Sequence, residues 1–146
     1  MQKLIMFSLF LTLMVGACKK ETVVPAPSSA EILRSKVWKL TSITKGGAAS
    51  PLETCQTDDK FTFSFSGSFE KNFGTTKCNG ELTNSFTGNW SVDETTKILK
   101  IVSTLNVTYA YTIKSISATS YVLSYEEPAP LGGSAKVVEE TYVPAQ

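Results

Sequence analysis

The residues of this chain that could do chemistry fall into three groups. They are three cysteines (Cys18, Cys55 and Cys78), a few adjacent carboxylates, and a large set of regularly spaced aromatics. Histidine is absent. That removes Ser–His–Asp triads, His-ligated zinc and the usual general base near neutral pH. The carboxylates occur as Asp58-Asp59, Asp93-Glu94, Glu126-Glu127 and Glu139-Glu140. Asp58-Asp59 could hold a hard cation with Glu53 or nearby carbonyls. Calcium, however, needs about six to eight oxygens and no Asp–x–Asp–x–Asp loop is present, so capping the turn after Cys55 is the expected role. Neighbours on a strand point to opposite faces, so Glu139 and Glu140 cannot act on one bond together. One of them faces inward or sits at a rim. An inward carboxylate must be paired and would mark a ligand site; the plainer account is a barrel end wide enough to admit water. Nothing places two carboxylates on one face, and no Gly-rich loop offers a phosphate cradle. The chain is therefore expected not to be an enzyme, and to need no metal and no cofactor.

These side chains need strands to position them. Ser and Thr supply 35 residues and aromatics 10% of the chain, the composition of strands with hydroxylated outer faces. Trp38 and Leu40 alternate with Lys39 and Thr41, and Phe61, Phe63 and Phe65 alternate with Thr62, Ser64 and Ser66. Phe69 and Phe73 share a face, as do Phe86, Gly88, Trp90 and Val92. Tyr109, Tyr111 and Ile113, then Tyr121, Leu123 and Tyr125, repeat the pattern. The periodicity predicts eight strands, near 36–44, 59–66, 68–74, 85–92, 97–103, 106–115, 119–126 and 135–143. Short strands joined by hairpin-length turns form an antiparallel meander, and eight are enough to close a small barrel. Ser28 and Glu31 form a capping box before Ile32 and Leu33, which predicts one short helix over 29–35. Trp38, Phe61, Phe63, Trp90, Tyr109, Tyr111, Tyr121 and Tyr142 are then either the lining of an apolar pocket with hydroxyl tips or a filled core. Barrels of this size stand at the boundary between the two.

The N-terminus carries a different signal. Met1-Gln2-Lys3 is a short positive segment, and Leu4 to Ala17 is an apolar run of 14 residues. A spanning helix needs about 20, so the run fits the core of a signal peptide. It ends Leu13-Met14-Val15-Gly16-Ala17-Cys18, which resembles the bacterial lipobox. That resemblance implies cleavage after residue 17 and a lipid on Cys18, which would tie the protein to a membrane. Acyl chains contribute ~0.8 kcal/mol per buried methylene, so two or three make a firm anchor. Lys19-Lys20-Glu21 follows, without the Asp associated with inner-membrane retention. The expected address is the bacterial outer membrane, on either its periplasmic or its surface face. Residues 18–28, with Pro25-Ala26-Pro27, form a semi-rigid tether, and 29–146 form the barrel domain.

With Cys18 committed to lipid, Cys55 and Cys78 remain as an even pair in an oxidising compartment, and a disulfide between them is expected. Two thiols without His make a poor zinc site, and no C–x–x–C is present. The full chain has 14 basic and 13 acidic residues. Removing 1–17 takes away Lys3 and leaves no net side-chain charge, so no nucleic-acid partner is expected.

Several features now stand in order: the lipobox, a short helix, Lys36-Val37-Trp38-Lys39-Leu40, Cys55-Gln56-Thr57-Asp58-Asp59 before Phe61-Thr62-Phe63, then Gly67, Cys78 and Gly88-Asn89-Trp90-Ser91. This order resembles the lipocalin-like domain of small Gram-negative envelope lipoproteins, over about residues 30–143. The resemblance implies an all-β fold, an eight-stranded up-and-down barrel with one short N-terminal helix and room for a ligand cavity. Two functions are compatible with it. One is binding of a small apolar or amphipathic ligand. The other is a filled barrel presenting loops 45–58, 74–84 and 127–135 to an envelope protein partner or, as an inhibitor, to a foreign enzyme.

Overall fold

The computed structural model describes residues 25–129 and 133–146. The signal segment and Cys18 lie outside the described residues, as does the centre of the 127–135 loop. Among the described residues, one helix, α1 (Ser29–Arg34), precedes nine strands: β1 (Val37–Lys45), β2 (Ala48–Ser50), β3 (Lys60–Phe63), β4 (Ser68–Asn72), β5 (Ser85–Asp93), β6 (Ile98–Ser103), β7 (Thr108–Ile116), β8 (Tyr121–Glu127) and β9 (Lys136–Pro144). Each strand from β3 onward pairs antiparallel with the next, and β1 pairs with both β3 and β9, so eight strands close into a barrel. The additional strand, β2, is a short hairpin return of β1 beyond its contact with β3. No helix of the described residues is long and apolar enough to cross a membrane.

The alternation of side chains builds the core. Trp38, Leu40, Phe61, Phe63, Phe69, Leu99, Ile101, Ile113, Tyr121, Leu123, Val138 and Tyr142 form one buried cluster. Two bulges keep the inward phase where a strict period of two would lose it. In β1 the register shifts between Leu40 and Ser42, so Ile43 points in after Trp38 and Leu40. In β7 it shifts between Ile113 and Ser115, which lets Ile116 pack on the core. Gly88 lets β5 lie close against β6. A Cβ there would lie 2.3 Å from the Val102 carbonyl oxygen, which no side chain can occupy without moving the strand.

One end of the barrel is plugged. The capping box forms as the sequence predicts: the Ser28 hydroxyl accepts from the Glu31 amide and the Glu31 carboxylate from the Ser28 amide. α1 packs on β3 and β5 and buries Leu33 completely. The indole of Trp38, also fully buried, donates to the Leu33 carbonyl at 2.7 Å and so satisfies one of the helix's free C-terminal oxygens. Glu94, in the turn between β5 and β6, accepts from Ser29 Oγ at 2.7 Å and the Ala30 amide at 3.0 Å and ties the helix start to the barrel.

At the other end the chain is stapled covalently. Cys55 and Cys78 are bonded, with Cα atoms 5.1 Å apart, joining the segment before β3 to the loop after β4. Glu53 lies beside the two sulfurs, but both sulfurs are used in the bond. Asp58 does not cap the turn after Cys55. Its carboxylate accepts from the Thr75 amide (2.8 Å), the Thr75 hydroxyl (2.9 Å) and the Thr76 amide (3.3 Å), across the same two segments as the disulfide. These bonds hold its carboxyl below the usual range. Gly74, at φ +62°, leaves the room this contact needs. Loop closure by the disulfide is worth about 3 kcal/mol. Urea unfolding of the Cys55→Ala/Cys78→Ala variant is therefore expected to show a stability lower by about that amount. Equal midpoints for the two proteins would contradict the staple.

Candidate ligand cavity

Between the plug and the stapled end lies a cavity of about 290 Å³. Of the aromatics singled out from the sequence, Phe61, Phe63, Tyr109, Tyr111, Tyr121 and Tyr142 line it. Trp38 and Trp90 do not. Trp38 lies in the plug, and Trp90 packs edge-on against Phe63 with its indole donating to the Ser64 carbonyl at 3.1 Å. Four further aromatics or apolar residues complete much of the wall: Phe69, Phe73, Phe86 and Leu123. The barrel is thus neither packed solid nor empty. The cavity sits at the small end of the range that takes small organic ligands, about 300–1,000 Å³.

The aromatics are arranged in tiers. Trp38 meets Tyr121 edge-to-face at 4.9 Å, Tyr121 stacks on Tyr142 at 4.5 Å, and Tyr142 meets Phe61 edge-to-face at 5.0 Å. On the far side Tyr111 meets Tyr125, and Phe86 meets the partly exposed Tyr109. These contacts hold the rings in preferred geometries and fix where the hydroxyls point.

Two charged side chains occupy inward positions. Glu140 shares a face of β9 with the buried Val138 and Tyr142. It is the inward member of the Glu139-Glu140 pair, and its carboxylate is paired, not left to water at a frayed end. Tyr125 donates to Glu140 Oε1 at 3.1 Å and Tyr142 donates to Oε2. Glu139 faces out, where Lys114 lies 3.7 Å away. Lys71 lies between Phe69 and Phe73 on β4 and lines the cavity. Its Nζ is 2.9 Å from the buried carboxylate of Asp59 and 3.8 Å from Glu81. It also sits over the rings of Phe73 (4.9 Å) and Phe61 (5.7 Å). Burial raises the pKa of Asp59 despite the Lys71 ammonium, which lowers it.

The Tyr121 hydroxyl is different. Tyr121 is 1% exposed and its hydroxyl makes no hydrogen bond within the protein. A buried polar group without a protein partner costs free energy unless a water or another molecule satisfies it.

Lys71, Tyr125 and the partnered state of Glu140 were not singled out from the sequence. The signal for Lys71 was present, because it sits two residues from Phe69 and two from Phe73 and must share their face. Nothing local to β8 or β9 announces that Tyr125 and Glu140 meet, since they come together only through strand pairing.

Burial, then the Glu140 charge, pushes the hydroxyls of Tyr121 and Tyr142 well above their ordinary pKa and that of Tyr111 to about 12. Neutral tyrosine is thus favoured by the folded state. The stability this contributes is complete below pH 10.0, the unfolded value, and is lost as pH rises toward about 12. A phenolate absorbance titration of the folded protein is expected to lag that of the urea-unfolded protein over this window. Glu140→Gln should narrow the lag, and coincident titrations would contradict the arrangement.

Over residues 35–123 the chain matches the model of a family described as a lipocalin-like domain. It is also similar to the crystal structure of a DUF4847 family protein from Bacteroides vulgatus ATCC 8482. The identity is 15% and the TM-score 0.46, over 75% of this chain and 94% of that one. No curated protein matches it.

Proposed function

The chain belongs to the lipocalin-like domain family, and from that premise we propose that it is a non-catalytic barrel that binds a small apolar or amphipathic molecule in its cavity. A barrel of this family is typically a binding fold, but a fold alone does not choose a function. The observation that carries the reading is the aromatic-walled cavity of about 290 Å³, with Tyr121 in its wall and the Tyr121 hydroxyl buried and unpartnered. An apolar wall with a few convergent polar groups is the general form of a small-molecule site. The nearest carboxylates stand behind its wall and are engaged there, Glu140 by Tyr125 and Tyr142 and Asp59 by Lys71.

We further propose that the protein is a lipoprotein of the bacterial outer membrane, anchored through Cys18. The lipobox-like Leu13–Cys18 segment supports this reading. Labelling of growing cells with a fatty-acid analogue is expected to mark the protein, and Cys18→Ala should abolish the label; an equally labelled variant would refute the anchor.

A second reading has its own observation. Leu82 (94% exposed) and Leu105 (84%) project from loops at the stapled end, where a protein partner could cover them. Native mass spectrometry of the protein, purified from a bacterial envelope, separates the two readings. The carrier reading expects an added small mass that leaves on denaturation. A bare mass that persists after incubation with envelope lipid extract would overturn it in favour of a protein partner.

A further inference from the structure

The polar groups of the cavity have a definite sense. Tyr142 gives its proton to Glu140, so what remains at that wall hydroxyl is an oxygen that accepts. Tyr125 is committed in the same way. The Lys71 ammonium faces Asp59 and Glu81 and is the cavity's one cationic donor among the described residues. The Tyr121 hydroxyl, unpartnered and almost fully buried, can accept as well as donate. A guest that brings hydrogen-bond donors therefore meets one wall oxygen oriented by a carboxylate, that of Tyr142, beside the uncommitted hydroxyl of Tyr121.

Charge points the same way. Lys71 is the one charged residue of the wall itself, and three carboxylates stand directly behind the wall, Asp59 and Glu81 against Lys71 and Glu140 against Tyr142, so the acidic groups outnumber the ammonium they surround. Lys45 and Glu127 pair with each other at 2.9 Å at the solvent-exposed rim, beyond Tyr125, and Lys136 is exposed. The ring faces are suited to a cation too, and Phe61 and Phe73 already receive the Lys71 ammonium.

We propose that the preferred guest of this cavity is an aromatic or amphipathic organic cation, a protonated amine, whose apolar part packs against the rings while its N–H groups donate to the oxygens of Tyr121 and Tyr142. The proposal rests on the small-molecule reading above and gives that site its charge selectivity. Glu140 acts through the tyrosines: it accepts the Tyr142 hydrogen bond, which turns the hydroxyl oxygen toward the guest, and it supplies the compensating negative charge.

The test is calorimetric titration of the protein at neutral pH with three matched probes: naphthylmethylamine, naphthylmethanol and naphthoate. The amine is expected to bind about tenfold tighter than the alcohol, as a desolvated cation–π and carboxylate interaction allows, and the carboxylate should bind weakest. In Glu140→Gln the ratio of amine to alcohol affinity is expected to fall toward unity, with thermal unfolding verifying that the variant is folded. Naphthoate binding as tightly as the amine, or an amine preference that survives Glu140→Gln, would overturn the proposal and leave the small-molecule reading intact. Failure of all three probes to bind would overturn both. The order of the three probes on the unmutated protein decides the charge selectivity even if the variant does not fold.

Discussion

The structure depends on the pairing of its first strand with its last. β1 and β9 are matched from Trp38 opposite Pro144 to Lys45 opposite Val138. Without that seam the eight strands would be an open, twisted sheet with two unpaired edges and one apolar face in water. With it, each strand has an inside and an outside, and every second side chain is assigned to the interior whatever its chemistry. The two bulges show how strictly this holds, since each shifts the register where Ile43 and Ile116 would otherwise turn outward. Lys71 and Glu140 are charged residues caught by the same rule. Each is tolerated because it meets partners: Asp59 and Glu81, brought by loops, for the one, and Tyr125 from β8 with Tyr142 from the same strand for the other.

Closure by itself leaves two open ends, and the protein treats them differently. The α1 end is sealed by apolar burial and by a reciprocal use of polar groups. Trp38 needs a partner for its indole N–H, the helix needs donors for its terminal carbonyls, and the Leu33–Trp38 bond serves both. The opposite end is restrained without being filled. The disulfide and the Asp58 bonds fasten the long segments before β3 and after β4 to one another. Because a covalent bond and a capped loop hold that end, it does not need a packed core there, and the space inside survives as a cavity.

The polarity of that space comes from how its few protons are allotted. A carboxylate flanked by tyrosines turns each hydroxyl that donates to it into an acceptor for anything else. An ammonium between two carboxylates has little left to offer an incoming anion. The apolar rings give the space its walls, and these few commitments give its polar groups a direction. The lipocalin-like barrel supplies the container, and the hydrogen bonds among these side chains set the polarity of the space inside it.

Much was legible in the sequence. Alternating aromatics reported eight strands, and the boundaries fell within a few residues of those observed. The Ser28–Glu31 capping box announced α1, and Cys55 and Cys78 were readable as a pair. Local signals suffice there, because strand phase, helix caps and cysteine parity are written in neighbouring residues. Other features belong to the tertiary structure alone. The small β2 return has no aromatic pattern to announce it. Asp58 bonds residues 17 and 18 positions away, so its turn could not reveal its use. Periodicity placed Trp38 and Trp90 inside but could not say that they plug and buttress the barrel while the tyrosines surround the space. That division depends on barrel height, and height is set by register between strands distant in sequence. The encounter of Glu140 with Tyr125 and Tyr142 is of the same kind. Tyr142 lies two residues along the same strand, but Tyr125 reaches Glu140 only because β8 and β9 pair in one register.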